Sequence, residues 1–136
     1  MQLTTSLIRL GATPRDKNEA IRQVAALLAE NGKVAPEYVE GMFAREAQEN
    51  TYLGNGVAIP HGTPQSRHLI KETAIAVLQI PAGIAWGENG ERVQLVVGIA
   101  ASDSEHLTIL RRLTRLLNQS DKLQELLHTP DKNLLI

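Results

Sequence analysis

The chain has 136 residues and a formal net charge of −1, enough length for one domain around a single core and without the basic excess of a nucleic-acid surface. Hydrophobic residues make up 43% but aromatics only 3%, so the core must be built from Leu, Ile, Val and Ala. There is no cysteine, which excludes disulfides, thiolate nucleophiles and zinc–thiolate sites.

Leu7 to Leu10 reads as a short first strand ended by Gly11. Asp16, with Glu19 three residues on, is a capping box that opens a helix. Ile21, Val24, Ala25, Leu27 and Leu28 form its apolar stripe, and Asn31-Gly32 stops it. Pro36 suits the first turn of a second helix, whose buried face carries Tyr38, Val39, Met42 and Phe43. Arg45 and Glu46 come near its end.

The apolar run Val57 to Ile59 predicts a buried strand, and Pro60-His61-Gly62 ends it abruptly. A polar turn, Thr63 to Arg67, follows. Glu72 to Ile80 is a strand with an almost wholly apolar centre, which suggests burial on both faces, and Pro81-Ala82-Gly83 should break it. Trp86 to Gly90 is a loop in which Trp86 either anchors the loop or contacts a partner. Val93 to Ala101 is a second long apolar strand. It runs into Ser102-Asp103-Ser104, good N-cap residues for a helix burying Leu107, Leu110, Leu113, Thr114 and Leu117. Asp121 and Gln124 start a last short helix through Leu127, and the tail from Pro130 to Ile136 resembles the start of another. Apolar strands interspersed with amphipathic helices predict an α/β domain, residues 1–136, with helices on both faces of a sheet.

Two of the four histidines stand where strands give way to other structure. His61 sits between a proline and a glycine at a strand end; such a residue is also an ordinary turn residue. His106 falls in the first turn of a helix, where unpaired amides and the positive dipole end favour an anion, and where it could equally be a plain helix residue. Were the two strand ends adjacent, as in open α/β sheets, both imidazoles and a helix N-terminus would surround one small anionic group. No carboxylate dyad lies near either histidine, so a histidine nucleophile holding a phosphoryl group fits better than hydrolysis. Arg45 is a third candidate, since a guanidinium suits phosphate oxygens, although an arginine late in a helix is commonly a surface residue. His68 and His128 read as solvated. Neither an HExxH pattern nor a Walker-type loop is present, so a metal-dependent hydrolase ranks below these readings.

The segment from Tyr52 to Thr63, with Pro60-His61-Gly62 at its end, resembles the active-site segment of the mannitol/fructose-type enzyme IIA domains of the bacterial phosphoenolpyruvate-dependent sugar phosphotransferase system. Val96 to Ala101 followed by Glu105-His106-Leu107 is similar to the family's second-histidine segment, and Ala44-Arg45-Glu46 to its arginine segment. The likeness runs from about Leu3 to Leu127. Leu53-Gly54-Asn55-Gly56 and Ile84-Ala85-Trp86-Gly87 lean towards the fructose branch, in which a IIA domain is followed by an HPr-like domain in one chain.

The resemblance implies a mixed sheet sandwiched between helices, in three layers. It makes His61 the phosphorylated residue, accepting the group through Nε2 from the phosphocarrier HPr or an HPr-like domain. His106 would hold the phosphoryl oxygens with the Gly62 and Thr63 backbone, and Arg45 would neutralise charge. The group would pass to a cysteine of a sugar-specific IIB domain, without a metal or other cofactor. Related domains of the nitrogen branch regulate other proteins instead, which is the alternative function. No apolar run approaches bilayer length and no signal-peptide pattern is present, so a cytoplasmic domain without membrane insertion is expected.

Overall fold

The computed structural model describes residues 4–135, and they form a five-stranded mixed sheet held between two helical layers. A 3₁₀ turn (Thr5–Leu7) leads into the first strand, β1 (Ile8–Arg9). The helix α1 (Lys17–Glu30) starts as its capping box dictates: Asp16 Oδ1 accepts the Glu19 amide at 2.8 Å, a cap worth about 1 kcal/mol. At the other end Asn31 Nδ2 donates to the Leu27 carbonyl at 2.7 Å, a second bond on an acceptor that the Asn31 amide reaches at 3.3 Å. The second helix, α2 (Tyr38–Gln48), begins two residues after Pro36, because the Tyr38 amide first closes a turn onto the Ala35 carbonyl. The remaining elements are β2 (Tyr52–Gly54), β3 (Val57–Ala58), a 3₁₀ segment (Pro64–Leu69), β4 (Ala74–Ala85), β5 (Arg92–Ala100), α3 (Asp103–Leu117), α4 (Ser120–His128) and a closing 3₁₀ turn (Lys132–Leu135).

The strand order is β1-β4-β5-β3-β2. β1 runs parallel to β4, β4 antiparallel to β5, β5 parallel to β3, and β3 antiparallel to β2. Alternation along the strands divides the core in two. Ala76, Leu78, Val93 and Val96 face α1 and α2, where Ile21, Val24, Leu28 and Met42 cover them. Val77, Leu95, Val97 and Ile99 face α3 and α4, where Ile109, Leu123 and Leu127 cover them. Each such side chain taken fully out of water contributes about 1.5–3 kcal/mol, so the two aliphatic layers hold the sandwich together with few aromatic rings. The expected fold, helices on both faces of a mixed sheet, is the one observed.

Four local expectations differ from what is seen. The strand β4 does not break at Pro81-Ala82-Gly83 but continues to Ala85, with a register shift against β5 between Gln79 and Ile84. A proline sits at such an irregularity without costing a ladder bond. On α3 the buried residue is Ile109; Leu107 and Thr114 are exposed, seven residues apart and therefore on the same outward face. The strand β2 had no separate signal. It pairs with β3 through Gly54-Asn55-Gly56, where all three residues have positive φ (121°, 52° and 85°), a conformation glycine and asparagine accept most readily. At the chain's end the expected helix start is a single 3₁₀ turn, and Ile136 lies outside the described residues.

Trp86 anchors its own loop. It is buried, and its Nε1–H donates to Glu46 Oε2 at 3.1 Å.

Candidate functional site

Parallel pairing of β3 with β5 brings their C-terminal ends together. The pairing outlasts β3: His61 bridges to Ile99 of β5, and the Ile99 amide donates to the Pro60 carbonyl at 3.0 Å. The turn carrying His61 is thus pinned against the end of β5, from which the chain enters α3 and reaches His106. The two imidazole centroids are 4.6 Å apart, with planes inclined at 48°. The sequence condition for the site, adjacent strand ends, is met by direct hydrogen bonding.

His61 is half-buried, and its Nδ1 lies 2.8 Å from the Ile59 carbonyl oxygen. A carbonyl only accepts, so Nδ1 carries the proton and Nε2 the lone pair. Burial is the main cause that pushes the imidazole pKa below its ordinary 6.5. The Arg45 charge acts in the same direction, while the Ile59 bond and the Glu46 carboxylate oppose it. The ring is therefore neutral at physiological pH, the state a nucleophile requires.

His61, His106 and Arg45 line one cavity of about 220 Å³, together with Gly62, Thr63, Tyr38 and Arg67. Arg45 reaches it because Tyr38 and Arg45 are seven residues apart on α2, about two turns, and share a face. The Arg45 Nη1 also donates to the Glu49 carbonyl at 2.6 Å, closing the end of the helix. Thr63 is buried, and its hydroxyl donates to Ser66 Oγ at 3.3 Å. The Gly62 amide, expected to face phosphoryl oxygens, donates to the Tyr38 hydroxyl at 3.0 Å. Of the other histidines, His68 and His128 are exposed, as expected.

The N-terminus of α3 borders the same cavity through His106. Ser102 occupies the N-cap but does not cap with its side chain: its hydroxyl donates to Glu105 Oε1 at 2.9 Å. Thr73 Oγ1 donates to that same carboxylate oxygen at 2.6 Å, so Glu105 ties the start of α3 to the residue before β4. With the cap hydroxyl diverted, the first-turn amides keep their capacity for an anion.

Two residues of this cavity, Tyr38 and Arg67, were not among the sequence candidates. Tyr38 looked like a core residue because it lies on the apolar face of α2, and its ring is indeed buried. Arg67 looked like part of a polar turn. Its side chain is exposed, and only the path of the 3₁₀ segment across the strand ends brings it to the cavity. Chemically, the arrangement combines a neutral imidazole with a defined lone pair, a second imidazole, two guanidinium groups and a helix N-terminus. That set can form a covalent bond to an electrophile bearing several anionic oxygens. Among the described residues no group of three or more His, Asp or Glu side chains is arranged to hold a metal ion. No helix among them is long and apolar enough to cross a membrane.

The family described as "Phosphoenolpyruvate-dependent sugar phosphotransferase system, EIIA 2" matches residues 1–136. A multiphosphoryl transfer protein of Xanthomonas campestris is 48% identical over 134 residues, 98% of this chain and 16% of that protein. The multiphosphoryl transfer protein of Salmonella typhimurium is 48% identical over 125 residues, 92% of this chain and 33% of that protein. The chain thus spans a third or less of the length of these relatives. Among solved structures, the mannitol IIA of Escherichia coli superposes with a TM-score of 0.93 at 35% identity, covering 99% of this chain and 96% of that one. The same TM-score and identity are found for a complex of the Escherichia coli mannitol IIA with phosphorylated mannitol IIB, covering 98% of this chain and 94% of that one. With the whole chain matched and the three-layer fold shared, this protein belongs to the EIIA type 2, or mannitol-type IIA, family of the phosphoenolpyruvate-dependent sugar phosphotransferase system.

Proposed function

We propose that the chain is a phosphohistidine carrier in which His61 takes a phosphoryl group from phospho-HPr, or an HPr-like domain, and passes it to the cysteine of a sugar-specific IIB domain. The observation that carries this reading is the 2.8 Å bond from His61 Nδ1 to the Ile59 carbonyl, which leaves Nε2 as the unprotonated nitrogen of a ring beside His106 and Arg45. In the accepting step the Nε2 lone pair attacks phosphorus in line as the donor's N–P bond breaks. In the donating step a thiolate of the IIB domain displaces Nε2, and the imidazole regains its lone pair. Nδ1 keeps its proton throughout. His106 and Arg45 hold the charged oxygens, with the α3 N-terminus and the Gly62 and Thr63 backbone as further donors. The Gly62 amide shares its hydrogen between the phosphoryl group and the Tyr38 phenol, which keeps its hold on the turn.

The sugar is fructose on this reading, since Leu53-Gly54-Asn55-Gly56 and Ile84-Ala85-Trp86-Gly87 are similar to the fructose branch. A mannitol-specific EIICBA component of Pasteurella multocida is also 40% identical over 95% of the chain, so the sugar is what the assay must decide. The domain works as one module of a longer chain, in the cytoplasm, without membrane insertion of its own.

The test is intact mass after incubation with phosphoenolpyruvate, enzyme I and HPr, with and without fructose-type IIB. One acid-labile phosphoryl group that disappears when IIB is added is expected. His61→Ala should remove it entirely, whereas His106→Ala should remain folded and slow the transfer about a hundredfold or more, the scale of losing one charge-stabilising donor. A group that no IIB removes would instead indicate a regulatory module. Phosphorylation of His61→Ala would overturn the assignment of the nucleophile.

A further inference from the structure

We infer that Tyr38 is a positioning residue for the phosphoryl transfer, its hydroxyl holding the His61 turn at a fixed distance from the end of β5. The inference rests on the carrier reading of His61 and extends it to a residue outside the catalytic pair.

Three observations on one side chain support it. The Tyr38 ring is buried, 3% exposed, yet it lines the cavity that holds both histidines. Its hydroxyl makes two hydrogen bonds, donating to the Ile99 carbonyl at 3.0 Å and accepting from the Gly62 amide at 3.0 Å. One of these groups belongs to the residue after His61. The other belongs to the residue whose backbone bridges to His61. The phenol oxygen therefore spans the two backbone segments whose separation sets where the nucleophile stands.

The fit is close on the ring side as well. A Cβ placed on Gly62 would fall 2.7 Å from Tyr38 Cε1 and 2.4 Å from Ser66 Oγ, so only glycine lets the turn sit this near the ring. Burial holds the Tyr38 phenol above its ordinary pKa, so the proton given to Ile99 is retained across physiological pH. An error of about 1 Å in the position of a reacting atom is enough to slow a reaction about a hundredfold, which is why a group that touches no phosphoryl oxygen can still govern the rate.

The experiment compares Tyr38→Phe with Tyr52→Phe. The second is the same chemical change on another hydroxyl that accepts a backbone amide, that of Gly56 at 3.3 Å, in the β2–β3 hairpin outside the cavity. For each protein the rate of gaining the acid-labile group from phospho-HPr is measured by quenched intact mass. The His61 tautomer is read from its ring ¹⁵N shifts. Tyr38→Phe should stay folded, accept the group at least tenfold more slowly, and show a mixture of tautomers where the parent shows Nδ1–H. Tyr52→Phe should keep its rate within twofold and its tautomer unchanged. Parental rate and tautomer in Tyr38→Phe would overturn the inference while leaving the carrier reading intact, and equal slowing in both variants would reduce Tyr38 to a general stabiliser. Absence of any phosphoryl group on the parent protein would remove the carrier reading itself.

Discussion

On the carrier reading, His61 joins two physical requirements that reinforce each other. A nucleophilic imidazole must be neutral, and the cations that attract phosphate oppose its protonation. Burial lowers its pKa below 6.5, and the nearby Arg45 lowers it further. Transfer should consequently be independent of pH above about 7 and fall only below the ordinary histidine value. The sign for stability follows from the same shift. Below 6.5 the unfolded chain takes up the proton first, so this histidine's contribution is complete above 6.5 and is lost as pH falls to the folded-state value. A Tm series from pH 8 to 5 should therefore decline less for His61→Gln than for the parent. Much of this site was legible beforehand: Pro60-His61-Gly62 marked a strand end, and His106 a helix start. Tyr38 was not, because an aromatic on an apolar helical face has the same pattern whether its hydroxyl holds a turn or merely finds a partner.

At the scale of elements, Glu46 near the end of α2 is the counterpart of Arg45. Its buried carboxylate accepts from the Thr51 amide at 2.8 Å, the Thr51 hydroxyl at 2.7 Å and Trp86 Nε1 at 3.1 Å, with Lys17 Nζ 3.6 Å away. Four parts of the chain, α1, α2, the approach to β2 and the β4–β5 loop, meet on one side chain. Glu46→Ala would leave several buried donors unpaired and should cost about 3 kcal/mol, read as a lower denaturation midpoint with an unchanged m-value. The α1 boundaries were legible because Asp16, Glu19 and Asn31 make local bonds of their own. Strand β4 was misread at Pro81 because local chemistry there signals a stop. Pairing with β5 resumes at Ile84 and carries the strand on, information held by a distant part of the chain. The offset stripe of α3 has a similar origin, since Leu107 and Ile109 differ little in hydropathy and only the sheet's position selects between them.

Across the whole molecule, Gln79 connects segments near the beginning and end of the described chain to β4. It is 2% exposed, and its Oε1 accepts the Gly11 amide at 3.2 Å while its Nε2 donates to the Leu126 and Thr129 carbonyls at 3.1 and 2.8 Å. One amide side chain thus satisfies three backbone groups, those of Gly11 and Thr129 outside the regular elements and that of Leu126 in the last turn of α4. Gln79→Leu keeps similar bulk but strands all three, and it should destabilise by about 2–4 kcal/mol, measurable by urea unfolding. Phosphoryl acceptance by the folded fraction should persist, because Gln79 does not line the cavity of the two histidines.

On the carrier reading, the bond between His61 Nδ1 and the Ile59 carbonyl has one more consequence. It uses the same nitrogen, and the same proton, whether or not Nε2 bears a group. Loading and unloading then require no ring flip and no change of tautomer, so the empty and charged forms present nearly the same contour to whatever docks. Discrimination between a partner that delivers and one that collects falls to the added negative charge rather than to shape. A cargo site built this way can run in either direction, with traffic set by the relative abundance of loaded donors and empty acceptors.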